Sequence, residues 1–247
     1  MRLKLPVLPP ASPGSLALAG LWASLLDAAL AACALFTVVD LWAPPQDLPW
    51  KPLRLADPVG LATAAKFAAA AADPAACRAV LRQGGVAFVE APPRRRGYCA
   101  TANAVRLGGG VTPLSPAAPV MTCPLALGYA FWDRHVVEPA ARAELGAPVA
   151  RIEHYGTYAC RTVYGRPGAR PSEHALANAL DAYGFRLANG RRATVAGQFH
   201  AADPRGRFLR RVRDGACPWF RAVLSPDYNA AHRDHLHLDF GRYRACR

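Results

Sequence analysis

Apolar residues follow several patterns along this chain, and each predicts a different kind of element. The first is an almost unbroken run from Leu16 to Leu41, LALAGLWASLLDAALAACALFTVVDL. Leu18 to Val39 supplies the roughly 22 residues of helix that cross a ~30 Å hydrocarbon layer. Asp27 interrupts the run at a cost of about 2.5–3.5 kcal/mol, which about ten Leu, Phe and Val residues at −0.3 to −0.6 kcal/mol each offset. Arg2 and Lys4 precede it, so the N-terminus should stay cytoplasmic and the remainder be exported. Residues 1–43 therefore read as a cytoplasmic tip and a single-pass inner-membrane anchor, with the C-terminal domain in the periplasm. A cleaved signal peptide, or a lipoprotein signal with Leu30-Ala31-Ala32-Cys33 as the lipid-attachment stretch, are the alternatives. All three export the rest of the chain.

Residues 44–60 are Pro-rich and predict an extended linker over the membrane surface, with Trp42 and Trp50 at headgroup level. A domain over 61–247 follows. Thr63–Ala72 is an Ala-rich helix, and Asp73-Pro74 opens another that Gly84-Gly85 ends. Val86–Glu90 and Val105–Val111 read as strands, and Arg94-Arg95-Arg96 as a solvated basic turn. Pro124–Ala143 is helical, with Pro139 set to kink it. Val149–His154 is a strand and Gly156–Arg170 a loop. Phe185–Val195 is a hairpin turning at Asn189-Gly190. Arg207–Asp214 is a short helix ended by Gly215, and Val223-Leu224 precedes a turn.

The last pattern is strict alternation. In Asn229-Ala-Ala-His232-Arg-Asp234-His235-Leu-His237-Leu-Asp239-Phe240, the positions Leu236, Leu238 and Phe240 form one apolar strand face. His235, His237 and Asp239 share the other. Two imidazoles and a carboxylate on one face suit a metal site; the plain alternative is a polar surface strand with a chance histidine pair. A second stretch, Ser172-Glu-His174-Ala-Leu-Ala-Asn-Ala-Leu-Asp181, adds His174 and Asp181. In a continuous helix their Cα atoms would lie about 10 Å apart along the axis. That is too far for both to reach one ion at about 2 Å. If they share a metal, the chain must turn between them and place Asp181 near the start of a strand. The alternative is an Ala-rich surface helix. His174, Asp181 and one late histidine would make a three-ligand set with an open position, the arrangement of catalytic zinc. His135, His154 and His200 have no such spacing and read as surface or packing histidines.

Composition narrows the setting. The chain is 52% hydrophobic with a net charge of +13, nearly all of it from arginine. That suits an anionic cell-wall polymer or membrane surface. Neither an aromatic–basic RNA motif nor C2H2 spacing is present, which argues against nucleic acid. Of the seven cysteines, Cys33 lies in the apolar run. The other six form no CxxC pair and suit three disulfides in an oxidising compartment. We expect Cys160–Cys217 in the site-bearing half, with Cys77–Cys99 and Cys123–Cys246 completing one of fifteen possible pairings.

The pairing of Ser172-Glu-His174…Asp181 with His235-Leu-His237 resembles the LAS metallopeptidases, which include D-alanyl-D-alanine peptidases, the penicillin-insensitive murein endopeptidase and the hedgehog N-terminal domain. Residues from about 50 to 247 are more closely similar to the bacterial extensin-like C-terminal domain family. The stretches Gly156-Thr-Tyr158-Ala-Cys160-Arg161, SEHALANALDAYGF, Cys217-Pro-Trp-Phe220 and HRDHLHLDF carry that likeness. The resemblance implies an α+β fold of the LAS/hedgehog type: a small antiparallel sheet with flanking helices, and one zinc ion on the sheet's open face. It implies His174, Asp181 and His237 as ligands, with His235 supporting the bound water or the transition state. The base is open between His232 and Asp234. Ser172 would orient the His174 loop, Asp239 would stand behind the ligands, and Arg161 would bind a substrate carboxylate. The implied reaction is amide hydrolysis in the peptide part of peptidoglycan, by water whose pKa zinc lowers to about 7. Two departures stand out: relatives carry Gly where this chain has Ala177, and Leu180 precedes the aspartate. They leave open a non-catalytic cell-wall or partner-binding domain with a structural metal. A metallo-β-lactamase-like site fits less well, because that pattern needs a histidine where Phe240 stands.

Overall fold

The computed structural model describes residues 13–247. Helix α1 (Pro13–Trp42) contains one stretch, Gly20–Trp42, that is long and apolar enough to cross a membrane. Its length, composition and position suit an anchor or a signal sequence. The following segment does not behave as a free linker. Leu48, Leu53 and Leu55 are buried, and the last two join the main core. Lone leucines between prolines give no periodicity, so their burial has no sequence signature. Trp50 meanwhile donates from its indole N–H to Asp40 of α1.

Two helices follow, α2 (Thr63–Ala72) and α3 (Pro74–Gln83), within the bounds expected. Asp73 starts α3 by accepting the backbone N–H groups of Ala75 and Ala76 at 2.7 and 3.0 Å. Short strands come next: β1 (Phe88–Ala91), β2 (Arg94–Arg96), β3 (Cys99–Thr101), β4 (Ala104–Leu107), β5 (Leu114–Ser115) and β6 (Val120–Thr122). The triple arginine is thus one strand of a β2–β3 hairpin rather than a loop. Three like charges in a row show no alternation, so the pairing is invisible in the sequence.

The long helical stretch splits into α4 (Cys123–Trp132), a π-helical turn over Asp133–Val137, and α5 (Glu138–Leu145). Pro139 falls in the first turn of α5, where its missing N–H is tolerated, and the widened turn before it absorbs the mismatch. The remaining elements are β7 (Val149–His154), β8 (Ala179–Leu187), β9 (Arg192–Thr194), a helical turn α6 (Val195–Gln198), α7 (Pro204–Ala216), β10 (Ala222–Leu224), β11 (Leu236–Asp239) and β12 (Ala245–Cys246). Helix α7 runs through Gly215 instead of stopping there. That glycine sits against Val136, and a Cβ would not fit.

The fold is mixed α+β. The main sheet has the order β12-β10-β11-β8-β7-β5, with β9 also paired to β8. It is antiparallel except at its two ends, where β5 runs parallel to β7 and β12 parallel to β10. A second sheet, β1-β4-β6, and the β2–β3 hairpin lie apart from it. The core collects Tyr129, Phe131 and Trp132 of α4, Phe185 and Leu180 of β8, Phe208 of α7, and Leu236 and Leu238 of β11. The Trp132 indole donates to the Val212 carbonyl at 2.8 Å and ties α4 to α7.

The six cysteines do form three disulfides, but each expected pairing is wrong. The bonds are Cys77–Cys123, Cys99–Cys160 and Cys217–Cys246. Cys77–Cys123 staples α3 to the start of α4. Cys99–Cys160 ties the basic hairpin to the loop before the site. Cys217–Cys246 joins the end of α7 to β12. Each pairing follows from which elements pack together, and cysteine spacing along the chain does not carry that information.

Candidate metal centre

Strands β8 and β11 pair antiparallel with His237 directly opposite Asp181, Leu238 opposite Leu180 and Asp239 opposite Ala179. Leu236 and Leu238 are fully buried. Because side chains alternate along a strand, burying those leucines turns His237 and Asp239 to the other face, beside Asp181. The ladder register alone therefore brings Asp181 and His237 together.

His174 arrives by a different route. Residues Glu173–Leu176 form one 3-10 turn, which Ser172 caps by accepting the His174 backbone N–H at 3.4 Å. Ala177 then takes the left-handed conformation, φ 54°, and the chain enters β8. The expected turn between His174 and Asp181 is present. The Ala177 backbone conformation is the one glycine adopts without steric cost. Side chains brace this turn: Asn178 donates to Glu173 Oε2 at 2.9 Å, and Thr122 donates to Asn178 Oδ1 at 2.8 Å.

The three groups converge. The ligand atoms of His174, Asp181 and His237 lie within 4.8 Å of one another. His174 Nε2 is 3.0 Å from Asp181 Oδ2, and His237 Nδ1 is 2.8 Å from Asp181 Oδ1. Asp239 Oδ2 meets His237 Nε2 at 2.9 Å, while its Oδ1 accepts the Gly241 N–H at 2.7 Å. Asp239 thus fixes the His237 ring and leaves Nδ1 facing the cluster, the carboxylate–histidine arrangement seen behind metal ligands.

His235 stands on the rim, its Nε2 3.6 Å from Asp181 Oδ1 and its Nδ1 2.9 Å from Asp234 Oδ1. Tyr155 packs edge-on to the His235 ring and donates its hydroxyl to Asp234. His232 is buried, with its Nδ1 2.8 Å from Asn229 Oδ1 and its ring 5.3 Å from that of His235. Asn229, Asn178, Thr122 and Tyr155 were not singled out from the sequence. Asn229 is recoverable as the side chain capping the turn before His232; the others act through tertiary contacts. His135 and His154 are packing residues that hydrogen-bond the Leu55 and Pro116 carbonyls, and His200 is exposed.

Electrostatics sets this cluster apart. Burial pushes the Asp181 carboxyl upward, but the His237 hydrogen bond and the His174 imidazole beside it outweigh that and hold the group far below the usual range. Burial pulls His237 down, yet Asp181 and Asp239 raise it to about 9. His232 is lowered to about 4, first by burial and then by the positive charge of His237 and His235.

A divalent cation fits the donor set on one observation in particular. His174 Nε2 is buried and has no properly directed hydrogen-bond partner among the described residues, although Asp181 Oδ2 lies 3.0 Å away. A cation between them would satisfy both atoms. Two imidazoles and one carboxylate match the ligand types of zinc.

The cluster lies in a groove of about 350 Å³. Arg161, Arg170, Arg242 and Arg244 line it, along with Tyr164 and Tyr243. Arg161 is exposed and makes no ion pair among the described residues. Arg170 stacks over the Tyr243 ring at 4.5 Å.

Fold and site together define an α+β domain built around a candidate cation centre at the floor of a basic groove. Residues 75–247 match the family model described as extensin-like protein C-terminus, and the chain belongs to that family. No curated protein and no solved structure matches the chain.

Proposed function

We propose that this protein is a zinc-dependent, LAS-type peptidase that hydrolyses amide bonds in the peptide part of peptidoglycan, on the outer side of the inner membrane. The observation that carries this reading is the convergence of His174, Asp181 and His237 with an unpartnered buried His174 Nε2. When bound, zinc supplies Lewis acidity toward a carbonyl and acidifies water.

The chain's own groups supply the rest. Asp239 holds the His237 ring in place. His235, steadied by Asp234, presents Nε2 on the open side of the cluster, where it can hydrogen-bond the oxyanion of an attacked carbonyl. Asp234 is exposed enough to exchange protons with solvent. It is held below the ordinary carboxylate range, chiefly by its hydrogen bond to His235. His232, which burial keeps neutral at neutral pH, and the Asp234 carboxylate are the two proton acceptors beside the cluster. Arg161 projects at the groove as a free cation for a substrate carboxylate.

The test is muropeptide turnover by the full chain in detergent, with His235→Ala and His237→Ala beside wild type. Cleavage by wild type, lost in both variants while zinc is lost only in His237→Ala, is the expected result. Zinc held by wild type with no cleavage of any muropeptide would replace this reading with a non-catalytic, wall-binding domain.

A further inference from the structure

We propose that a second groove, next to the metal centre but separate from it, binds an extended acidic peptide segment. The groove has a volume of about 780 Å³ and runs between the β2 strand and residues 154–158. Four guanidinium groups, Arg94, Arg95, Arg96 and Arg106, line it, and no carboxylate does. Arg94, Arg95 and Arg96 are exposed and make no ion pair among the described residues. By contrast, Arg186, Arg192, Arg207, Arg211 and Arg213 each pair with a carboxylate. A concentration of unneutralised guanidinium groups on one surface is costly unless an anion meets it, and the guanidinium fork matches a carboxylate with two parallel bonds.

Three features favour a peptide as the occupant. Among the described residues the outer edge of β2 pairs with no other strand, which leaves its backbone groups to bond another main chain. Pro116 and Pro119 give the groove an apolar wall, and Tyr158 adds an exposed ring. The Cys99–Cys160 disulfide holds the hairpin against the segment bearing Tyr158, so the groove is built before a ligand arrives. Tyr155 forms the boundary with the metal centre: it lines this groove while packing against His235. A peptide lying here would lead toward the cluster, but its binding does not need the metal.

The probe is a fluorescent hexaglutamate peptide, titrated by anisotropy into the full chain in detergent micelles at fixed salt. We expect Arg94→Ala/Arg95→Ala/Arg96→Ala to weaken binding at least about tenfold, and the matching triple Lys variant to recover only part of it. A control, Arg134→Ala/Arg205→Ala/Arg211→Ala, removes the same charge elsewhere and should change binding by no more than about twofold, the screened long-range effect. His237→Ala should bind as wild type does, which separates this inference from the peptidase reading. Equal loss in both Arg→Ala triples would overturn the proposal, since attraction would then reflect net charge alone. So would binding of an acidic oligogalacturonate in place of hexaglutamate, or unchanged binding in the Arg94–Arg96 variants.

Discussion

Asp181 and Asp133 are both buried carboxylates, at 8% and 5% exposure, yet their surroundings drive them in opposite directions. Asp133 sits in the π-helical turn between α4 and α5. One oxygen accepts the Thr112 backbone N–H at 2.8 Å; the other is buried without a partner. Burial, with some help from Glu138, raises its carboxyl to about 6. Asp181 is met by His174 and His237 and stays ionised far into acid. Burial alone neutralises a carboxylate, so a buried one that keeps its charge must be met by hydrogen-bond donors or positive charge. At Asp181 those partners are two imidazoles whose directions suit a shared cation. At Asp133 the chain offers only Thr112, which marks a structural residue.

His237→Ala removes one donor and should lower zinc affinity by at least about 100-fold in competition with a chromophoric chelator, since three protein ligands are the minimum at such sites. A smaller effect is expected one step back. Asp239→Asn keeps the shape but weakens the group that orients His237, and should cost about 10–100-fold in zinc affinity. If Asp239→Asn left affinity unchanged, the orienting role assigned to it would be wrong.

Asp133 supplies the contrasting pH behaviour. Its folded value of about 6 lies above the unfolded value of about 3.9. The native state therefore holds the proton to higher pH than the unfolded chain does. The stability this group contributes is greatest below pH 4 and falls as pH rises toward 6, leaving a deficit above that. Asp133→Asn keeps an acceptor for Thr112 and removes the charge. Urea melts should show it more stable than wild type by about 1–3 kcal/mol at pH 7.5, with the difference vanishing near pH 4. An equal shift at both pH values would mean that packing, not ionisation, decides the change.

The smallest expected effect concerns the turn that delivers His174. Ala177→Gly relieves the left-handed conformation but deletes a fully buried methyl group, so its stability should stay within about 0.5 kcal/mol of wild type. Ala177→Val adds bulk where φ is positive and should cost about 2 kcal/mol. Zinc affinity should follow stability in the valine variant only.

The two routes into the cluster also differ in how legible they were in the sequence. Strand β11 announces itself, because Leu236 and Leu238 alternate with His237 and Asp239 and only one face can be buried. The turn after His174 was legible from distance alone, since a helix would hold His174 and Asp181 too far apart. The β8–β11 register that sets Asp181 opposite His237 was not, because a pairing between strands more than fifty residues apart leaves no local trace. The same holds for Asn178 and Thr122, which act on the His174 turn from different elements. Cys77, Cys99 and Cys217 found other partners than expected for that reason: the packing of α3 on α4, of the β2–β3 hairpin on the 156–161 loop, and of α7 beside β12 decided the bonds. Leu53 and Leu55 looked like linker residues because prolines around them hide any period, yet they close the core.

If His174, Asp181 and His237 form one cation site, zinc-edge X-ray absorption on the full chain will report all three. The result expected is one zinc per chain in a shell of nitrogen and oxygen donors, with two imidazoles and no sulfur, and no bound zinc in His237→Ala. A folded wild-type chain that binds no zinc, or one whose zinc shell is unchanged by His237→Ala, would contradict it.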